Sequence, residues 1–109
     1  MADTLLLSNA APRFICDVHL GKLARRLRLL GFDTIYKNDL EDKEIIRIAK
    51  TDHCIILTRD GDILSNKTVR SYRPDSIFSD EQVRKVLSVF NLRGQIRPFS
   101  RCIKCNGEI

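Results

Sequence analysis

Three short apolar runs, each followed by a more polar stretch, constrain this chain more than any other feature. The runs RFICDV (13–18), DTIYK (33–37) and CIILT (54–58) are bounded by turn signals and have the length of buried strands. Apolar residues in the stretches between them recur at steps of three and four. The first such helical stripe consists of Leu20, Leu23, Ala24, Leu27 and Leu30, and the second of Ile45, Ile48 and Ala49. Alternating strands and helices pair in parallel through right-handed crossovers. We therefore predict an α/β fold, a small three-layer α/β/α sandwich with a mostly parallel sheet of about four strands.

The second half of the chain has weaker periodicity. It allows one helical turn around Ile63 and Leu64, and an edge strand in either TVRSY (68–72) or SIF (76–78). The segment SDEQ (79–82) has the form of a capping box, and it precedes a helical stripe. That stripe consists of Val83, Val86, Leu87 and Phe90. Residues 91–109 are polar and basic and are interpreted as a linker. The predicted division is an extension (1–12), a domain (13–92) and a basic tail (93–109).

Length and charge narrow the class of protein. With 109 residues, 43% of them hydrophobic, the chain is long enough for one domain with a real core. Lysine and arginine outnumber the acids 19 to 14, which gives a net charge of +5 and favours a polyanionic partner such as nucleic acid. Charge alone does not decide this, because many small proteins are modestly basic. No apolar run approaches the roughly 18 residues that cross a bilayer, so we expect no membrane partner and a cytoplasmic location.

Acidic residues follow the predicted strands. Asp17 and Asp60 end the first and third strands, and the carboxyl ends of parallel strands share one edge of a sheet, where ligands bind. Asp42, or Glu44 in its place, would join them from the start of the second helix. Two carboxylates about 4 Å apart repel by roughly 4 kcal/mol at an effective dielectric near 20, so a cation is expected between them. Hard oxygen ligands suit Mg²⁺ or Mn²⁺, which in turn bind phosphate oxygens.

Each acid also has an ordinary structural interpretation. Asp17 can be a turn residue. Asp42 can stabilise the start of the second helix through a favourable interaction with the helix macrodipole, and Asp60 before a glycine resembles a simple turn. Asp62 is expected to cap the turn that follows, and Asp80 lies in the predicted capping box.

Basic residues surround the predicted acidic edge. Lys22, Arg25 and Arg26 lie on the outward face of the first helix, and Arg59 directly precedes Asp60. These four side chains are candidates to hold a nucleic-acid backbone, although a basic helix face is more often solvated surface.

Four segments in order carry a resemblance to a known family. FICDVHLGKLARRLRLLGFDT, then DKEIIRIA, then IILTRD, then RCIKCN resemble the Mut-seven C-terminal ribonuclease domain, which has a PIN-like fold. The resemblance implies a metal-dependent endoribonuclease that hydrolyses RNA, with Mg²⁺ or Mn²⁺ as cofactor. It implies that Asp17, Asp42 and Asp60 are the catalytic, metal-binding acids. PIN-like sites usually include a fourth acid, which neither Asp62 nor Asp80 matches cleanly, and we favour Asp80 as an outer contributor to metal binding. His19 and Arg26 depart from the family pattern without affecting these acids.

The terminal segment resembles one half of a zinc ribbon. In the family, the R-C-x-x-C-N stretch is completed by a second cysteine pair, but this sequence stops at Ile109. Cys102 and Cys105 supply two of the four ligands of a structural zinc site, so zinc is not expected within this chain. A disulfide or two free thiols is the preferred interpretation, in a shortened or naturally ribbonless form. A homodimer is left open.

Two other functions compete with the nuclease. A non-catalytic RNA-binding or toxin-like module of the same fold would bind RNA in a salt-sensitive way without turnover. A phosphoacceptor receiver domain would use an aspartate that ends the third strand, but no suitably placed threonine and lysine follow. Phosphate-binding loops, dinucleotide fingerprints and serine elbows are absent from the sequence.

Overall fold

The computed structural model describes residues 11–109, which form four strands and four helices in alternation. In chain order these are β1 (Arg13–Cys16), α1 (Gly21–Leu29), β2 (Thr34–Ile35), α2 (Asp42–Asp52), β3 (Cys54–Leu57), α3 (Gly61–Ser65), β4 (Arg70–Tyr72) and α4 (Ser79–Val89). Two single 3₁₀ turns, Val18–Leu20 and Arg93–Gln95, lie before α1 and after α4. Most of the predicted 1–12 extension lies outside the described residues.

The sheet is parallel throughout and has the order β2-β1-β3-β4. Phe14 pairs with Ile55 and Cys16 with Leu57, so β1 and β3 end level with each other. The apolar run of β3 is buried at every position, as its lack of alternation predicted for a central strand. The edge strand β4 lies in the TVRSY segment, and the alternative SIF segment forms no strand.

Successive strand residues face opposite layers, which explains why both faces of the sheet are apolar. Phe14, Cys16, Ile55 and Leu57 pack against α1 and α4. Ile15, Cys54 and Ile56 pack on the other face. The partners on that second face include Ile45 and Ala49 from α2 and Ile63 from α3. The predicted three-layer α/β/α sandwich is therefore confirmed.

Helix α1 ends at Leu29, and Gly31 follows two residues later. This glycine has φ +97°, and a Cβ built on it would collide with the backbone oxygen of Arg97. Only glycine combines this left-handed backbone with so close an approach of another segment. The residue thus both ends the helix and admits the C-terminal segment against it.

Residues 91–109 do not form the predicted linker. Leu92 is buried in the core, and the N–H groups of Arg97 and Phe99 donate to the carbonyls of Leu30 and Leu29 at 2.8 and 3.0 Å. These bonds satisfy carbonyl groups that the end of α1 leaves unpaired. The interpretation as a linker was wrong, because a basic, polar composition does not reveal whether the backbone of a segment is hydrogen-bonded to the rest of the domain.

A buried arginine attaches this segment to the sheet. Arg28 is only 6% exposed, and its guanidinium donates to the carbonyls of Thr34, Ile103 and Lys104 at 2.8, 2.9 and 3.1 Å. Burial lowers the pKa of Arg28, but an arginine starts so high that it stays charged. The guanidinium is tolerated in the interior because three carbonyl groups accept its hydrogen bonds.

Asn106 makes a second attachment, at the edge strand β2. Its side-chain oxygen accepts the Thr34 N–H at 2.9 Å, and its amide donates to Asp33 at 2.7 Å. The last residues of the chain are therefore part of the packed structure.

Helix α4 begins differently from the predicted capping box. Ser79 is its first residue, the N-cap position is Phe78, and no side chain caps there. Ser76 does related work upstream: its hydroxyl accepts the Phe78 N–H at 3.0 Å, and its carbonyl accepts the Gln82 amide at 2.7 Å. The Ser79 hydroxyl instead accepts a bond from Arg26 Nε at 2.8 Å. The predicted capping box was wrong, because Ser79 is the first residue of the helix and not its N-cap. The helix itself was correctly placed.

No helix within residues 11–109 combines the length and apolar character needed to cross a membrane.

Candidate active site

Asp17 lies at the carboxyl end of β1 and is held on both side-chain oxygens. Its Oδ1 accepts the N–H of His19 at 3.0 Å, and its Oδ2 accepts the hydroxyl of Thr58 at 2.9 Å. The residue is only 6% exposed. A carboxylate buried this far needs such donors, because an unpaired buried charge costs several kcal/mol. Its position is therefore fixed by the two strands that it joins.

A single hydroxyl group connects Asp17 to Asp60. Thr58, fully buried, donates to Asp17 and accepts the backbone N–H of Asp60 at 3.0 Å. Asp60 Oδ1 in turn accepts the N–H groups of Asp62 and Ile63 at 2.8 and 3.3 Å, which caps α3. The cap was predicted for Asp62 and belongs to Asp60, because the capping residue must precede the first turn. Asp17 and Asp60 thus meet at one end of the sheet.

Asp42 approaches this pair from the first turn of α2. Asp42 is exposed, but partial desolvation raises its pKa, and the nearby negative charges of Asp60, Asp17 and Asp62 raise it further. These causes show that Asp42 has the other acids as its neighbours. Asp17 and Asp60 are therefore joined through Thr58, and Asp42 is close enough to feel the charges of both.

The acids suit a cation that needs few protein ligands. Among residues 11–109, no group of three or more His, Cys, Asp or Glu side chains is arranged to hold a metal ion. Magnesium usually takes one or two carboxylates and completes its shell with water and substrate phosphates. The carboxylates of Asp42 and Asp60 offer such a set of hard oxygens, and a bound cation would offset the repulsion that contributes to the raised pKa of Asp42. The donor set thus fits Mg²⁺ or Mn²⁺.

Neutralising Asp42 is expected to stabilise the metal-free protein at neutral pH. Its folded-state pKa is raised, so the folded protein binds a proton more tightly than the unfolded chain. Stability is therefore lost as pH rises from the ordinary aspartate range through the raised pKa, and below that window there is no penalty. Asp42→Asn should raise the unfolding free energy by less than about 1 kcal/mol at pH 7, as for other exposed charge pairs.

The measurement is denaturant unfolding in chelator at pH 7 and at pH 3, with Glu44→Gln as the control from the same helix turn. The gain should be present at pH 7, vanish at pH 3 and be absent from the control. A variant that is equally destabilised at both pH values would show that Asp42 is not repelled by its neighbours.

The predicted basic residues divide into two groups. Lys22, Arg25 and Arg59 line a cavity of about 490 Å³ between the starts of α1 and α4. Arg26 lies apart from this cavity, and its guanidinium is engaged by Ser79. His19 is exposed and lines the same cavity, and its backbone N–H donates to Asp17 Oδ1.

Asp80 occupies a different position from the three acids. It lines the same basic cavity, and its carboxylate lies 3.7 Å from the guanidinium of Arg84 one turn later in α4. It is not among the charges that raise the pKa of Asp42. Its role as an outer metal contributor stays a prediction.

The terminal cysteines are free thiols, as are Cys16 and Cys54 in the core. Hydrogen bonds from the backbone and thiol of Cys105, and from the Lys104 N–H, lower the pKa of Cys102. The pair is held in a tight turn in which the Asn106 N–H donates to the Cys102 carbonyl at 2.9 Å. Of the two preferred interpretations, the structure has the free thiols.

Thr58 is the site residue that sequence reasoning missed. It was treated as the last residue of an apolar strand, whereas its hydroxyl is the link between two acids. The available signal was a hydroxyl side chain at the end of a fully buried strand, where it must find a partner.

Nearly the whole chain matches a known protein family. A family model described as the Mut7-C RNAse domain matches residues 12–109. No curated protein and no solved structure matches the chain.

Proposed function

The chain belongs to the Mut7-C RNase domain family, and from this premise we propose that it is a metal-dependent endoribonuclease. An RNase domain implies RNA as the substrate. One observation carries the finer proposal: Asp17 and Asp60 are joined through Thr58 at the carboxyl edge of the sheet, with Asp42 beside them. An open α/β sheet binds its ligands at this edge, and these acids are gathered there.

The three acids have different tasks in this proposal. Asp42 and Asp60 hold the divalent cation, and Asp17, fixed by two hydrogen bonds, completes the negative site from beneath. When bound, the cation supplies a more acidic water and positive charge against the phosphodiester. Thr58 keeps Asp17 and the backbone of Asp60 in register, so that the carboxylates do not drift apart. Asp80 is proposed as an outer contributor.

Cations beside the acids are proposed to bind the RNA backbone. Lys22, Arg25 and Arg59 line one cavity, and Arg59 is the direct neighbour of Asp60. Each phosphate that a lysine or arginine neutralises releases counterions, so binding should weaken steeply as salt rises. Arg26, engaged by Ser79, is the weakest of the four predicted contacts.

The test is cleavage of RNA labelled at either end, incubated with Mn²⁺ or Mg²⁺ and with excess chelator. We expect internal fragments from both labels with either ion and none with chelator. Cleavage that chelator leaves unchanged would contradict metal dependence, and loss of single nucleotides from one end would contradict endonuclease action. Salt-sensitive binding without any turnover would instead indicate the non-catalytic RNA-binding module.

A further inference from the structure

The cavity between α1 and α4 carries an aromatic side chain that the proposed chemistry does not use. Phe78 is 58% exposed and its neighbour Ile77 is 74% exposed, and both line the cavity. Most other large apolar side chains within residues 11–109 are buried in the two core clusters. Exposed apolar groups set together in a concave surface mark a contact site more often than isolated ones do.

The backbone holds Phe78 firmly in this exposed position. Its N–H donates to the Ser76 hydroxyl at 3.0 Å, and its carbonyl accepts the first helical bond of α4 from Gln82 at 3.0 Å. Because the backbone is already fixed on both sides, only the two side-chain torsions of the ring remain to be fixed when something packs against it. Such preorganisation lowers the entropic cost of binding.

The same cavity is positively charged. Lys22, Arg25 and Arg59 line it, while Asp80, its one carboxylate, already has Arg84 at 3.7 Å. A nucleotide matches this combination, because its phosphate can bind the cations and its flat base can stack on the exposed aromatic ring. The volume of about 490 Å³ has room for one nucleotide unit.

We propose that this cavity binds one unpaired nucleotide of an RNA strand, with its base packed on Phe78 and its phosphate held by Lys22, Arg25 and Arg59. The preferred substrate is then single-stranded RNA, because the base faces of a duplex are stacked and out of reach. This rests on the proposed function, since the cavity adjoins the acidic site: His19 at its rim bonds to Asp17, and Arg59 precedes Asp60.

Phe99 provides a matched control for Phe78. It is 74% exposed and lies at the opposite end of α1, where its N–H bonds to Leu29. Replacing either ring by alanine removes the same atoms from the surface, so effects on solubility and folding should be similar. Only one of the two rings lines the basic cavity.

The experiment measures the affinity of a fluorescent single-stranded oligoribonucleotide in chelator, where cleavage cannot interfere. Phe78→Ala should weaken binding roughly 5- to 100-fold, the effect expected for one stacked base, while Phe99→Ala should change it by less than about twofold. Phe78→Trp should retain the affinity. A duplex of the same sequence should bind the wild-type protein at least roughly tenfold more weakly.

Oligonucleotides with one abasic position, moved along the strand, locate the base. At one position the abasic oligonucleotide should already bind weakly, and Phe78→Ala should add nothing further, as expected when two changes remove the same contact. Equal effects of Phe78→Ala and Phe99→Ala, equal affinity for duplex RNA, or no binding by the wild type would each overturn the proposal.

The cleavage assay separates this inference from the proposed function. If the wild-type protein cuts RNA with Mn²⁺ but Phe78→Ala binds and cuts normally, the nucleotide subsite is wrong and the nuclease stands. If the wild-type protein binds single strands through Phe78 but no ion supports cutting, the subsite stands and the nuclease is wrong.

Discussion

Asp17→Asn is expected to lower metal-dependent RNA cleavage by at least about 10³-fold while the protein remains folded. The amide keeps the shape of the side chain but removes a negative charge beside Asp42 and Asp60. A metal site contributes several kcal/mol to stabilising the transition state, and each 1.36 kcal/mol is a factor of ten in rate. In the wild-type protein both carboxylate oxygens of Asp17 accept hydrogen bonds. In the asparagine variant the amide NH₂ group would face one of these two donors, at a cost of about 1 to 2 kcal/mol in stability.

Asp60→Asn should lower activity similarly with less effect on folding, because asparagine can still cap α3 through its side-chain oxygen. Asp52→Asn is the matched control, since Asp52 ends α2 just before β3 begins, at the opposite edge of the sheet. Initial rates at saturating Mn²⁺, with circular dichroism to check folding, decide the matter. Activity of Asp17→Asn within tenfold of wild type, or an equal loss in Asp52→Asn, would show that the chemistry lies elsewhere.

Arg28→Met should destabilise the protein by about 2 to 4 kcal/mol. The substitution keeps much of the packing volume but leaves the carbonyls of Thr34, Ile103 and Lys104 without their charged donor. Bonds to charged groups contribute about 1.5 to 3 kcal/mol each, and the carbonyls nearer the surface can be partly rehydrated. The loss is a large fraction of the 5 to 15 kcal/mol that holds a domain folded.

The same substitution should loosen the C-terminal segment before the core unfolds. Trypsin should cut after Arg101 or Lys104 faster in Arg28→Met than in wild type, because that segment loses two of its attachments. Arg47→Met on the exposed face of α2 is the control and should change neither unfolding nor digestion. Equal digestion rates in the two variants would mean that Arg28 does not hold the segment.

The central part of the fold was readable from sequence because burial on both faces leaves a plain signal. The unbroken apolar run of β3 is typical of a central strand, and the apolar stripe from Leu20 to Leu30 predicted α1. The parallel pairing of β1 with β3 then followed from the crossover rule, and with it the meeting of Asp17 and Asp60. This part of the site depends on topology, which periodicity reports well.

Side-chain bonds that decide local detail were not readable in the same way. Ser, Thr and Asp form several alternative caps that differ by one or two positions, so pattern alone assigned the cap of α3 to Asp62 and that of α4 to Ser79. The bridging role of Thr58 depends on a partner 41 residues away along the chain. No local window contains that information.

The C-terminal segment was misread for a further reason. Arginine is almost never fully buried unless it is paired, so Arg28 was not considered as a core residue. Its position four residues after Ala24, on the buried face of α1, was the signal that could have been used. Two of its three acceptors lie 75 and 76 residues away, and they also explain how a polar, basic stretch is held in place.

The bond from Thr34 to Asn106 has a consequence for self-association. Strand β2 is an outer strand of the sheet, and a strand in that position offers unpaired backbone groups to any other extended chain. Asn106 occupies the outward N–H of Thr34, and Arg28 occupies its carbonyl, so this border is closed to a neighbouring molecule. A form of the protein lacking its last nine residues would keep its acidic site but expose this border, and it should aggregate with time at concentrations where the intact chain stays monodisperse.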